Sequence, residues 1–307
     1  MRNLIGGVLL VCFCAMPARA EKLYGLTNLQ QIVTFDSQTR LVTQMTSPVG
    51  FSILGESLRS IDVRPDTGEL YGLSAQNNVY VIDPITGAST QIGSTLSPGP
   101  TGAFKAINFN PTVDRLRVLS SANDNFRVHP VTGAVMVDAS LAFAAGDVNQ
   151  GDTPFIVNGA YTNSFTGATT TTLYDIDATN DVLVTQTPAN NGTLQTVGSL
   201  GFNIPTSGGF TGFDISGSTG LAFLVGNSLT GGGLTSGSLY QVNLATGQAT
   251  LLGAVSGVNG SFRDIAVAAP AVVPEPGSIV LGAFGLLALG FVWWRHRNLA
   301  AEHVSPA

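Results

Sequence analysis

One histidine, a handful of carboxylates and three recurring cations are the residues between positions 21 and 270 that could do chemistry. His129 is the single histidine of that stretch, and Cys12 and Cys14 both fall before it. A Ser-His-Asp arrangement would have to use His129, yet His129 stands where related segments carry Asp or Asn, which reads as a turn-forming polar residue. Zinc needs three or four His, Cys or carboxylate ligands, and His129 has no partner in sequence. Asp62 and Asp214 occupy matching places in two similar strands, so they form the nearest thing to the opposed carboxylates of a glycosidase. Repeat symmetry also accounts for them. Asp147, Asn149 and Asp152 alternate oxygen ligands in a Gly-containing loop, as calcium would ask, and Asp175, Asp177 and Asp181 do so less well. Both runs are shorter than a twelve-residue calcium loop and lack its closing Glu. Calcium is therefore the one cofactor with any support. Arg59, Lys105 and Arg263 each stand two residues before an isoleucine of a similar strand. Three cations at equivalent positions could attract an anionic group, or pair with carboxylates such as Asp62 and Asp264.

The strands that must position these residues repeat. One type alternates and closes on Asp, Asn or His: segments ending at Asp36, Asp83, His129, Asp177 and Asn243. Turns follow, three of them ending in Thr-Gly, where glycine accepts positive φ at little cost. A second type, Ser60–Val63, Ala106–Phe109 and Gly212–Ile215, precedes a turn and a third type, Leu70–Leu73, Leu116–Leu119 and Leu221–Leu224. A fourth closes the unit, as in Ser89–Gly93 and Ala249–Gly253. Four short strands per unit at a period of roughly 40–50 residues is the pattern of propeller blades. The last step is longer and holds a Gly/Thr/Ser-rich stretch around 188–210.

The ends complete a blade. Leu23–Leu26 begins at the third type with no inner strand before it, and Phe262–Val267 is an inner strand with nothing after it. The expected fold is all-β: a five-bladed β-propeller closed by N- and C-terminal strands, with one C-terminal transmembrane helix. An open sandwich also fits regular strands but has no reason to split one unit across the termini.

Outside 21–270 the chain reads as targeting. Arg2, an apolar run to Met16 and the small residues Ala18 and Ala20 form a signal peptide, residues 1–20, cut after Ala20 by signal peptidase. The mature domain then has no cysteine. The chain has a net charge of −6 and a pI near 4.9; four of its 13 basic residues lie in the terminal signals. Nucleic-acid binding would want a basic stripe, and none exists. Val273, Pro274, Glu275 and Pro276, in a linker over 271–277, precede an uncharged run with Trp293 and Trp294 at its end, then Arg295 and Arg297. An apolar helix over 278–294 is at the short end of the roughly 17–25 residues that span a bilayer, and the arginines mark 295–307 as a cytoplasmic tail.

This tail resembles the PEP-CTERM sorting signal. The resemblance implies an exported protein held in the inner membrane until an exosortase cuts near the motif, then found at the cell surface or outside. The strings Leu70-Tyr71-Gly72-Leu73, Val79-Tyr80-Val81-Ile82-Asp83-Pro84 and Leu173-Tyr174-Asp175-Ile176-Asp177 resemble a bacterial secreted domain-of-unknown-function family (4394), which implies no activity. The sequence favours a non-enzymatic propeller of the envelope or extracellular matrix that binds exopolysaccharide or a surface protein. The alternative is a hydrolase or lyase acting on extracellular polysaccharide.

Overall fold

The computed structural model describes residues 20–206, 211–226 and 237–269. In chain order the strands are β1 (Lys22–Thr27), β2 (Ile32–Asp36), β3 (Val42–Thr46), β4 (Leu58–Val63), β5 (Leu70–Ser74), β6 (Val79–Ile82), β7 (Ser89–Ile92), β8 (Lys105–Asn110), β9 (Arg115–Ser120), β10 (Asn125–Val128), β11 (Val135–Val137), β12 (Ala142–Phe143), β13 (Ile156–Tyr161), β14 (Leu173–Asp177), β15 (Val182–Gln186), β16 (Thr193–Ser199), β17 (Thr211–Ile215), β18 (Ala222–Gly226), β19 (Ser238–Val242), β20 (Ala249–Ala254) and β21 (Phe262–Val267). They form five sheets: β21-β1-β2-β3, β4-β5-β6-β7, β8-β9-β10-β11, β13-β14-β15-β16 with β12 outside it, and β17-β18-β19-β20. The fold is the five-bladed propeller that the repeat predicts. Its first blade takes β21 from the far end of the chain, Leu23 pairing with Val267 and Gly25 with Ile265.

The apolar core lies between blades. Alternate residues of each strand face opposite neighbours, so both faces of every sheet are buried. Leu70 and Ile82 of the second blade pack with Leu26 and Ile32 of the first, whereas Tyr71 and Leu73 pack with Ile107 and Val118 of the third. One such cluster fills each of the five interfaces. Between the last blade and the first, Phe223, Val225 and Leu239 meet Leu23, Phe35 and Ile265. The ring is closed by packing as well as by pairing.

The hairpin that joins the third and fourth strands of a blade leans on the outer strand or crossover of the preceding blade. Gly87 faces Ser47, and Gly247 faces Gly198; at either glycine a Cβ would sit closer to that backbone than real contacts allow, and φ is +79° or +80°. The recurring Thr-Gly therefore answers two demands, a left-handed turn and a close approach between blades.

The fourth blade differs from the sequence expectation. In sequence Leu173–Asp177 matches the third strands of the other blades, but β14 is the second strand of its sheet, next to the inner strand β13. The true third strand, β15, ends on Gln186 and lacks the closing Asp. The stretch around 188–210 contains the fourth strand β16, and the long insertion is the crossover before β13, which lays β12 parallel to β16. The expected transmembrane helix over 278–294 lies outside the described residues; among those described, no helix is long and apolar enough to cross a membrane.

Candidate functional site

The centre of the ring poses a hydrogen-bonding problem. Each innermost strand, β4, β8, β13, β17 or β21, is paired on one side only and touches the innermost strands of the two adjacent blades. Its free edge carries buried N–H groups that need acceptors. Side chains from the neighbouring inner strand supply them. Asp62 accepts from Phe109 N at 2.6 Å, Asn108 from Tyr161 N at 3.0 Å, and Asp214 from Val267 N at 2.5 Å. One level nearer the strand starts, Ser60 accepts from Ile107 N at 3.0 Å and Asp264 from Ile61 N at 2.9 Å. Asp264 also takes the hydroxyl of Ser60 and the amide of Asn158. Polar residues at alternate positions of otherwise apolar strands are thus the acceptors that let five strand edges meet.

Asp62, Asp214 and Asp264 are almost wholly buried. Burial pushes Asp214 up to about 7, against the pull of the Val267 and Ile215 amides, and the neighbouring Asp264 adds to the rise. Burial likewise lifts Asp264 to about 7, and burial followed by repulsion from Asp214 lifts Asp62 well above the carboxylate range. Asp62 and Asp214, the matching pair of the sequence, are near enough to feel each other's charge. Their oxygens are engaged by backbone amides rather than open to a substrate.

The three cations stand where β4, β8 and β21 begin. The hydrogen-bond register places Val157 and Thr211 at the equivalent positions of β13 and β17. Because β21, β4 and β8 are consecutive around the ring, the cations form an arc centred on Arg59 rather than a full collar. Burial lowers Lys105 and Arg59 lowers it further, against the pull of Asp124; burial and then Arg59 bring Arg263 down to about 10. All three side chains are half-buried. Lys105 Nζ donates to Ala75 O at 2.8 Å and Asn77 Oδ1 at 2.5 Å. The Arg59 side chain makes no hydrogen bond or ion pair among the described residues. Together with Phe104, Asn158 and Thr211 the arc lines a narrow mouth with about 10 Å³ of free space, room for about one water.

Other expectations land elsewhere. His129 Nδ1 accepts from Val131 N and Thr132 N at 3.2 and 3.3 Å, just as Asp83 Oδ1 accepts from Ile85 N and Thr86 N; it is the turn former. Asp147 accepts from Asn149 N and from both the amide and the hydroxyl of Thr196, so it pins the crossover to β16. Asp152 is exposed. Among the described residues no group of three or more His, Cys, Asp or Glu side chains is arranged to hold a metal. Ala18, Val273, Pro274, Glu275 and Pro276 lie outside the described residues. Ala20 is exposed, and the next residue, Glu21, is already built in, its carboxylate taking the hydroxyls of Ser216 and Ser218 at 2.9 Å each.

Sequence reasoning missed a second polar centre between the third and fourth blades. Arg117 is fully buried and binds Asp138 at 2.6 Å, Asn125 and Asn190 at 2.8 Å each, and the Tyr161 hydroxyl at 3.1 Å. Asp175 is buried beside it, and burial raises its carboxyl well above the usual range, with Arg117 pulling the other way. Arginine within the β9 run Leu116–Leu119 was the available signal, since a charge inside an apolar strand needs partners.

A profile of the family described as a domain of unknown function (DUF4394) matches residues 44–266, and one of the PEP-CTERM protein-sorting motif matches 272–297. No curated protein matches. Similar solved structures include a protein of unknown function from Bacteroides thetaiotaomicron, 15% identical over 83% of this chain and 68% of that one, with a TM-score of 0.48. A protein of unknown function from Bacteroides caccae is 11% identical over 81% of this chain and 99% of that one, at 0.40. Glutaminyl cyclase from Myxococcus xanthus is 11% identical over 64% and 77%, at 0.44. Likeness at this level says nothing about activity.

Proposed function

From the premise that the chain belongs to the DUF4394 family and carries a PEP-CTERM sorting motif, we propose that it is an exosortase-sorted propeller of the cell envelope or extracellular matrix that works by binding. The sorting motif carries this reading, because it implies export, anchoring through the tail and exosortase processing. Binding rather than catalysis is supported by the channel, where the carboxylates that could serve as acid and base are turned to backbone amides. A hydrolase or lyase would need such a pair facing substrate. The partner is an exopolysaccharide or a surface protein, met after the tail has placed the domain at the outer surface.

The physical roles within the tail are separable. The uncharged run Gly277–Trp294 and the arginines that follow supply anchoring by apolar burial and a charge barrier. Pro274-Glu275-Pro276 adds little to anchoring and is the part that the protease reads. Wild type and Glu275→Ala, each with an epitope in the propeller, are expressed in a host that carries an exosortase. Wild type is expected as a shorter form released from the inner membrane, and the variant as a full-length membrane protein. Equal release of both would leave a plain anchor and remove the sorting reading.

A further inference from the structure

We infer that the arc of Arg59, Lys105 and Arg263 is an anion-binding site that takes one carboxylate, sulfate or phosphate group carried on an extracellular polysaccharide. This rests on the binding reading above and gives it a ligand class. The first argument is placement. Three cations on consecutive inner strands are half-buried together and repel one another through Arg59, a cost the fold does not require, since Val157 and Thr211 fill the same position in the other two blades. Like charges clustered against their own stability mark functional sites more often than structural ones.

The second argument is charge balance. The carboxylates beneath the arc, Asp62 and Asp264, accept from backbone amides, from Ser60 and from Asn158. Lys105 donates to a carbonyl and an amide oxygen and is also drawn by the Asp124 carboxylate. Segments 207–210 and 227–236 contain no acidic residue. Arg59 itself is in no ion pair among the described residues.

Fit decides the size of the group. With room for about one water at the mouth, a sugar ring cannot enter the channel. A compact oxyanion can reach the cations from the solvent side while its carrier stays outside. Charge-assisted hydrogen bonds of this kind contribute enough that loss of one cation weakens binding about tenfold or more.

The test uses the full-length chain in non-ionic detergent and titration calorimetry with polygalacturonate, dextran sulfate, neutral dextran and inorganic sulfate. At least one anionic polymer should bind, neutral dextran should not, and affinity should fall as salt rises. Arg59→Gln should weaken binding about tenfold or more, while Arg115→Gln leaves it unchanged. Without ligand, Arg59→Gln should melt at the same temperature as wild type or higher, because it relieves repulsion. A melting point lowered by several degrees would make Arg59 structural and overturn the site. Unchanged affinity in Arg59→Gln would do the same. Inorganic sulfate bound as tightly per group as the polymer would assign the site to free ions and overturn the polysaccharide. Binding of neutral dextran that Arg59→Gln leaves intact would overturn the arc yet keep the binding propeller, whereas cleavage of a polymer would overturn binding alone as the function and keep the arc.

Discussion

The contact between Gly247 and the preceding blade can be separated from the turn it sits in. Gly247 and Gly220 both have positive φ, +80° and +71°, and both close hairpins of the fifth blade; a Cβ at Gly220 meets nothing within 4 Å, whereas one at Gly247 runs into the Gly198 carbonyl. Alanine in the left-handed region costs about 1–2 kcal/mol, so Gly220→Ala should lose about that much. Gly247→Ala adds forced separation of two backbones, and overpacking of this kind costs about 1–3 kcal/mol. The expected total is roughly 2–5 kcal/mol against a whole-domain stability of about 5–15 kcal/mol. In a domain of this size 1 kcal/mol moves Tm by about 2–4 °C. Thermal unfolding of the 21–270 fragment by circular dichroism should therefore show a loss of a few degrees for Gly220→Ala and roughly twice that or more for Gly247→Ala. Equal losses would mean that the Thr-Gly repeat serves the turn alone and that blades are not stapled through their hairpins.

Two further outcomes follow from the closure and from the channel. Deleting Phe262–Val267 removes three large buried side chains, Phe262, Ile265 and Val267, at about 1.5–3 kcal/mol each, and bares the β1 edge that β21 pairs; the fragment should lose its cooperative melt, and a Tm within a degree or two of the parent would refute ring closure by β21. Asp214, raised from 3.8 to about 7, binds its proton more tightly folded than unfolded, so its stabilising protonation is complete below the unfolded value and lost as pH rises through about 7. Stability should thus be greater at pH 5 than at pH 8, by at most roughly 3 kcal/mol for one such group. Urea titrations at the two pH values check the sign, and a domain more stable at pH 8 would show that the channel carboxylates stay ionised in the fold.

The repeat was legible because each blade's strands alternate and its turns use recurring Pro, Asp, Thr and Gly. Closure was legible from the unpaired inner strand at one end and the missing one at the other. The fourth blade departs from the pattern for a physical reason. A closing Asp marks a third strand in the other blades, but Asp177 sits at the end of a second strand, where its carboxylate accepts from Phe155 N at 2.6 Å and from Asn180 N at 3.0 Å. The residue type reports a local hairpin need, and both kinds of hairpin have it. The strand that would have corrected the register, Ile156-Val157-Asn158-Gly159-Ala160-Tyr161, carries no Asp and no cation, so the pattern that marked the other inner strands was absent.

The same reasoning sorts the polar residues of the channel into two kinds. Ser60, Asp62, Asn108, Asp214 and Asp264 differ in type because any short side chain with an acceptor can serve a free strand edge. Ala160 and Ala266, at the level of Asp62, show that not every blade needs one there. What the level requires is acceptors for amides, and charge enters only as a by-product that burial then pushes toward neutrality. The cations one step above follow a different rule. Being donors only, they cannot accept from an edge amide, and a threonine or a valine holds the same position in two blades without loss of the ring. A feature that the fold tolerates but does not need, and that costs repulsion to keep, is where function is best sought in a propeller whose carboxylates are occupied.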